Sequence, residues 1–232
     1  MPPSKGEINR AGGLLRTWHE SADLGGKDLN DLEDAYRTLA EFRASFSYPL
    51  TKVTTGLRSM VSREADDVIV SQRLKREPQI INKLVRQPGM LLARIEDIGG
   101  CRAVLPSPDA VAGVEQRIRK RWEVKRYRDY VDEPKVGGYR AVHLVTERDG
   151  MRIEVQLRTK GQQEWADTVE SFAGHYDLPL KDESGPAVVL DFFKRAGEGI
   201  YCDEYLVPVP DGFADRYREA AQAVRDWMQT NK

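Results

Sequence analysis

Three short patterns in this 232-residue chain carry side chains able to do chemistry together. The first, Ile153-Glu154-Val155-Gln156-Leu157-Arg158, alternates as a strand does. Ile153, Val155 and Leu157 must pack inward, so the other face presents a carboxylate, an amide and a guanidinium at steps of roughly 7 Å. The second is Asp97, just before Gly99-Gly100, where bare backbone lets a ligand approach closely. Asp97 and Glu154 at the edges of neighbouring strands would make a paired-carboxylate site. Such a pair holds Mg²⁺ well only when substrate phosphates complete the oxygen shell. The third is Arg73-Leu74-Lys75, followed by Pro78 and Lys83. In an extended stretch Arg73 and Lys75 point the same way, and a helix opening at Glu77-Pro78 offers free N–H groups and a positive dipole end to an anion. Lys83 lies more than a turn in, within reach of its long side chain. Singly, each pattern also fits a bland surface: a solvent-facing strand, a tight turn, a basic helix.

The charge distribution favours the polyphosphate reading. Net charge is −1, so no global field attracts nucleic acid. Residues 73–94 nevertheless carry Arg73, Lys75, Arg76, Lys83, Arg86 and Arg94 against Glu77 alone, and residues 117–128 carry Arg117, Arg119, Lys120, Arg121, Lys125, Arg126 and Arg128 against Glu123 alone. Two basic runs bracket the acidic site. Between them and the Glu154 strand lies Tyr127-Arg128-Asp129-Tyr130, then Pro134-Lys135-Val136-Gly137-Gly138-Tyr139-Arg140, a loop of aromatic and basic side chains suited to bases and phosphates.

These residues need elements to hold them. Helical spacing predicts a helix from Asn30, capped by Asn30 or Asp31, then a break at Pro49 and a second helix over about 50–64. Residues 7–22 form a weaker helix candidate. Further helices are expected over 77–87, 109–122, 162–171, 186–196 and 213–229, and strands over 101–105, 139–146 and 152–159. The rest of 177–212 reads as loop. The middle of the chain is mixed α/β and both ends are helical, which divides it into an N-terminal helical region (1–64), a core (65–176) and a C-terminal helical region (177–232).

The order and spacing of the motifs carry a resemblance. Arg73-x-Lys75-(x)7-Lys83, Asp97-Ile98-Gly99-Gly100-Cys101-Arg102, the stretch from Asp129-Tyr130 through Pro134-Lys135 and Gly138-Tyr139 to His143, and Glu154-Val155-Gln156-Leu157-Arg158-Thr159 together resemble the RelA/SpoT synthetase domain, over about residues 71–176. The resemblance implies an α/β (α+β) fold, a mixed sheet of nucleotidyltransferase type flanked by helices. It implies an ATP-dependent pyrophosphotransferase that moves the β,γ-diphosphate of ATP to a ribose 3′-hydroxyl, with Mg²⁺ as cofactor. By that resemblance Arg73 and Arg102 sandwich the adenine, Lys75 and Lys83 neutralise the phosphates, and Asp97 holds the metal. Glu154 is a second metal contact or the base for the attacking hydroxyl. Tyr139 stacks on the acceptor base, and Lys135, Arg140, His143, Gln156 and Arg158 support the acceptor or its phosphates.

Departures bear on the acceptor. Gln79 stands where the family usually has serine, and Gly137 and Ala141 replace an asparagine and a serine. The stretches Gly137–His143 and Gln162–Glu170 look like the toxic branch of the family, some of whose members attach diphosphate to the 3′ end of tRNA. On that reading residues 117–128 hold the tRNA backbone, and a neutralising antitoxin protein is a partner. The alternatives are an ordinary small alarmone synthetase acting on GDP or GTP, or on an adenine nucleotide, and an inactive nucleotide-binding regulator. A synthetase-only protein is expected, with no hydrolase domain before the core and no regulatory domain after it; the N-terminal helical stretch is compatible with homo-oligomers.

Composition narrows the setting. With 40% hydrophobic and 31% charged residues the chain reads as a globular domain. It has no apolar run long enough to span a membrane, and Met1 to Glu7 has no apolar core behind it to make a secretion signal. Two cysteines and three scattered histidines support neither a disulfide framework nor a structural zinc site. A cytoplasmic protein is expected.

Overall fold

The computed structural model describes residues 3–22, 26, 28–64, 68–180 and 184–231. Met1, Pro2 and the expected domain boundary at 64/65, which runs into 65–67, lie outside the described residues. Helix α1 (Lys5–Ser21) opens with a capping box, in which Ser4 Oγ accepts from Glu7 N and Glu7 Oε2 accepts from Ser4 N. Helix α2 (Leu29–Ala44) is capped by Asp28 rather than by Asn30 or Asp31. The expected break at Pro49 falls earlier. Helix α3 (Ser47–Val61) takes Pro49 into its first turn, where an N–H has no intrahelical partner to lose. Strand β1 (Ile69–Leu74) and helix α4 (Glu77–Arg86) follow, then a single 3₁₀ turn at Leu92–Arg94.

The remaining elements are β2 (Gly99–Leu105), α5 (Pro108–Arg121), β3 (Val124–Asp129), β4 (Val142–Arg148), β5 (Met151–Thr159), α6 (Lys160–His175), α7 (Ala187–Glu204) and α8 (Phe213–Thr230). The five strands form one mixed sheet in the order β1-β2-β5-β4-β3, with β2 and β5 parallel and the other pairs antiparallel. Alternation then separates two faces. Cys101, Ala103, Leu105, Leu144, Ile153, Val155 and Leu157 are buried in one core with Leu50, Val53 and Leu57 of α3 and Val111, Val114 and Ile118 of α5. Leu15 of α1 and Leu39 of α2 belong to that same core. Among the described residues no helix is long and apolar enough to cross a membrane.

Strand β3 was not expected. Its residues are mostly charged, which an edge strand tolerates and a central strand does not. Strand β4 starts at Val142 instead of Tyr139, because Tyr139–Ala141 belongs to the preceding loop. Helix α7 runs eight residues beyond the expected 186–196. Its glycines look like a helix end but serve close packing. A Cβ on Gly197 would stand 2.5 Å from Gly138 O, and one on Gly199 would stand 3.1 Å from Phe213 Cζ. Gly138 itself has φ +88° and lies against the α7 backbone at Phe193 and Lys194. The loop carrying Tyr139 is thereby pressed onto α7. Helix α7 in turn packs with α6 and α8 around Trp165, Val169, Val189, Phe193 and Val224.

The far end of α7 holds the start of α6. Glu204 accepts from Thr159 Oγ1 at 2.5 Å and from Gly161 N at 2.9 Å, placing a carboxylate on one free N–H group and the capping hydroxyl at a helix N-terminus. Glu204→Ala is expected to lower stability by about 1.5–3 kcal/mol. Urea unfolding should show a lower midpoint with an unchanged slope, and an unchanged midpoint would show that the cap contributes nothing.

Candidate active site

The polar face of the sheet is arranged in rows by strand register. One row reads Ser71, Arg102, Gln156, His143, Arg128; the next reads Arg73, Gly100, Glu154, Val145, Arg126. Gly100 leaves a gap beside Glu154. A Cβ there would meet only Glu154, at 3.7 Å from its O and 4.0 Å from Oε2, so the missing side chain opens floor space and relieves no clash. Over this face lies a cleft of about 770 Å³, walled by α4 and the 3₁₀ turn on one side and by α6 on the other. Arg73, Lys75, Lys83, Asp97, Arg102, Lys135, Tyr139, His143, Glu154, Gln156 and Arg158 all line it.

The two acids share this cleft in different company. Asp97 Oδ2 accepts from Lys75 Nζ at 2.9 Å and Oδ1 from Lys83 Nζ at 2.8 Å. Burial pushes the Asp97 pKa up, but the two ammonium charges and their hydrogen bonds outweigh it and hold the group below its ordinary value. Glu154 Oε1 lies 3.0 Å from His143 Nδ1, and Oε2 accepts from Gln156 Nε2 at 2.8 Å. Here too burial raises the pKa, and His143 with Gln156 more than offsets it. Both groups therefore stay ionised at neutral pH. Because their folded pKa values are depressed, the stability they contribute is present above the unfolded carboxylate range, about pH 4. It is withdrawn as pH falls through the lower folded values. Thermal scans should show the wild type losing its advantage over Asp97→Asn below about pH 4; a constant difference down to pH 2 would contradict this.

The donor set suits a hard cation only in part. Among the described residues no cluster of three His, Cys, Asp or Glu groups stands ready for a metal. Asp97 beside two ammonium groups and Glu154 beside His143 and Gln156 fit Mg²⁺ when phosphate oxygens and water fill the other positions. Cys101 also reaches the cleft lining, but burial raises its thiol to about 12, so it supplies no thiolate.

Around the acids stand the nucleotide-facing groups. Arg73 and Arg102 project from adjacent strands one row apart. Burial, with repulsion from Arg158 and Arg73, lowers the Arg102 pKa, so an anion or an aromatic ring placed there would be welcome. Lys135 Nζ sits 5.3 Å from the Tyr130 ring centre and 5.7 Å from that of Tyr139. Arg140 does not join them. Its guanidinium stacks 4.0 Å from the ring centre of Tyr201 on α7 and donates to Val131 O, so it secures the loop and is absent from the cleft lining.

The first basic run meets the cleft as read, through Arg73, Lys75, Lys83, Arg86 and Arg94. The second is largely paired elsewhere. Arg117 pairs with Glu64, Arg119 with Glu115, Lys125 with Glu123 and Arg126 with Glu96. Of that run Arg126 and Arg128 line the cleft, both on the polar face of β3. Sequence reading placed Arg126 and Arg128 in the basic run, and Arg128 and Tyr130 in a loop suited to bases and phosphates, but gave none of them a site role because strand β3 was not foreseen. It missed Trp165, Asp167 and Glu170. The signal for the last two was available in the helical spacing 163, 167, 170 along α6.

Residues 72–176 match the region found in RelA/SpoT proteins. The chain carries a RelA/SpoT domain. An uncharacterized protein of Mycobacterium tuberculosis is 30% identical over 131 residues, 54% of this chain and 46% of that protein. A GTP pyrophosphokinase of Bacillus subtilis is 26% identical over 153 residues, 59% of this chain and 70% of the relative. The chain thus spans about half the length of the first of these relatives. Small alarmone synthetase 1 from Bacillus subtilis, in a crystal structure bound to its product pppGpp, superposes with a TM-score of 0.63 at 23% identity, covering 73% of this chain and 94% of that one. Small alarmone synthetase 2 from the same organism gives 0.60 at 22% identity, over 71% and 94%. At that identity the likeness establishes the fold: the RelA/SpoT domain sits in a mixed sheet flanked by helices, as its motifs implied.

Proposed function

We propose that the chain is an ATP-dependent pyrophosphotransferase acting on the ribose 3′-hydroxyl of a free guanine nucleotide. The observation that carries this is the pairing of Asp97, clasped by Lys75 and Lys83, with Glu154 in one cationic cleft. In this reading the triphosphate takes over the two lysines, and Arg73 and Arg102 hold the adenine. Asp97 and Glu154, with phosphate oxygens, are the ligands for Mg²⁺, which when bound supplies charge neutralisation on the transferring group. Glu154 accepts the hydroxyl proton as the O3′–Pβ bond forms; the bond from Pβ to the α,β-bridging oxygen breaks and AMP leaves. A carboxylate of depressed pKa is a weak base, and a loose transition state with little nucleophile bonding asks for no stronger one.

The acceptor assignment draws on two supports. The Bacillus subtilis relative is named a GTP pyrophosphokinase, and most of the basic run that would have tracked a tRNA backbone is neutralised by neighbouring carboxylates. The test is ATP labelled at the γ-phosphate, incubated with GDP, GTP, AMP or tRNA. Label on GDP or GTP supports the proposal. Label on tRNA alone, lost steeply as salt rises, would replace it with the translation-inhibiting reading and call for a neutralising partner.

A further inference from the structure

Five cleft side chains close a hydrogen-bonded ring. Arg158 Nη2 donates to Tyr139 Oη at 2.8 Å and to Gln156 Oε1 at 3.1 Å. Gln156 Nε2 donates to Glu154 Oε2 at 2.8 Å. On the other arm Tyr139 Oη lies 2.6 Å from His143 Nε2, and His143 Nδ1 lies 3.0 Å from Glu154 Oε1. The direction of every bond follows from the end members. A guanidinium can only donate and an ionised carboxylate can only accept. His143 must therefore present Nδ1–H to Glu154, because a bare Nδ1 would set two lone pairs against each other. A neutral imidazole then has Nε2 as an acceptor. The Tyr139 hydroxyl, already accepting from Arg158, has its proton free for that nitrogen.

We infer that the Tyr139 hydroxyl, oriented by Arg158, is a positioning group: it fixes which nitrogen of His143 faces Glu154, and so fixes the carboxylate that receives the acceptor's proton. This rests on the proposed reaction and gives Tyr139 a second task besides offering its ring to a base. Arg158 is suited to the part. It is 6% exposed, and its Nη1 is anchored 3.0 Å from Gln163 Oε1, which ties the ring to α6. A tautomer selected by the partner of the distal nitrogen is a recurrent way of orienting an imidazole.

The test uses the full chain with ¹⁵N-labelled histidine. The three histidines make assignment direct, with His143→Gln identifying the relevant signals. The wild type should show one protonated-type nitrogen and one unprotonated-type nitrogen for His143. In Tyr139→Phe, which keeps the ring face, the two shifts should converge as the imidazole samples both orientations. Turnover should fall about 10–100-fold with KM for both substrates nearly unchanged. Arg158→Lys, unable to serve both neighbours, should move the same nitrogens the same way, and serves if the phenylalanine variant does not fold. Unmoved nitrogens in the folded variant would overturn the inference, as would wild-type turnover and acceptor KM, the outcome expected if the ring face alone matters. The nitrogen shifts need no substrate, so they judge the ring even if the wild type transfers no pyrophosphate; that last outcome would instead overturn the reaction.

Discussion

Replacing Asp97 by asparagine is expected to lower pyrophosphate transfer by about 10³-fold while metal-free ATP binding stays equal or tightens. The two halves of this expectation come from one geometry. Each Asp97 oxygen receives a lysine ammonium, from Lys75 or Lys83. Those lysines are the side chains proposed to meet the phosphates, so the acid and the triphosphate compete for them. Removing the charge frees both lysines for ATP and at the same time deletes the oxygen proposed to hold the metal against it. Transfer of γ-label measures the first effect, and nucleotide titration in the presence of a chelator measures the second. Turnover within tenfold of wild type would remove Asp97 from the reaction. Much weaker metal-free binding would show that the lysines do not exchange partners.

Glu154→Gln should lower kcat by on the order of 10²–10³-fold, towards the lower end of general-base contributions, with little change in either KM. The substitution keeps shape and volume but removes the charge that His143 and Gln156 address. The modest size follows from the depressed pKa of the carboxylate, which makes it a weak proton acceptor. Kinetics across a range of magnesium concentrations separate its two possible tasks. A loss that excess metal does not repair marks proton transfer. Recovery at high magnesium would leave Glu154 the metal-holding task alone, and full activity would exclude it from both.

Much of this site was legible in the sequence because short-range rules govern it. Period-two alternation placed Glu154, Gln156 and Arg158 on one face, and strand register then set them against Arg102, Gly100 and His143. Lys75 and Lys83 lie on either side of a helix start marked by Pro78, and both reach Asp97. Arg140 was misplaced for the same reason that its neighbours were placed well. Motif spacing puts it beside Tyr139, but its contact with Tyr201 depends on where α7 packs, some sixty residues downstream.

Alternation, capping and turn chemistry, which act within a few residues, gave most of the helices, the strands β2, β4 and β5 and the two acids of the cleft. The mixed sheet followed from the resemblance carried by the ordered motifs, and the edge strands β1 and β3 were not foreseen. Only tertiary structure decided which charges remain available to a ligand. Residues 117–128 look almost uniformly basic in the chain, yet beside the local pairs Arg119–Glu115 and Lys125–Glu123 the fold brings Glu64 to Arg117 and Glu96 to Arg126 from distant segments. The closed ring from Arg158 to Glu154 is likewise invisible in one dimension. Its members are two to nineteen residues apart, and a hydrogen bond depends on ångströms that sequence separation does not encode.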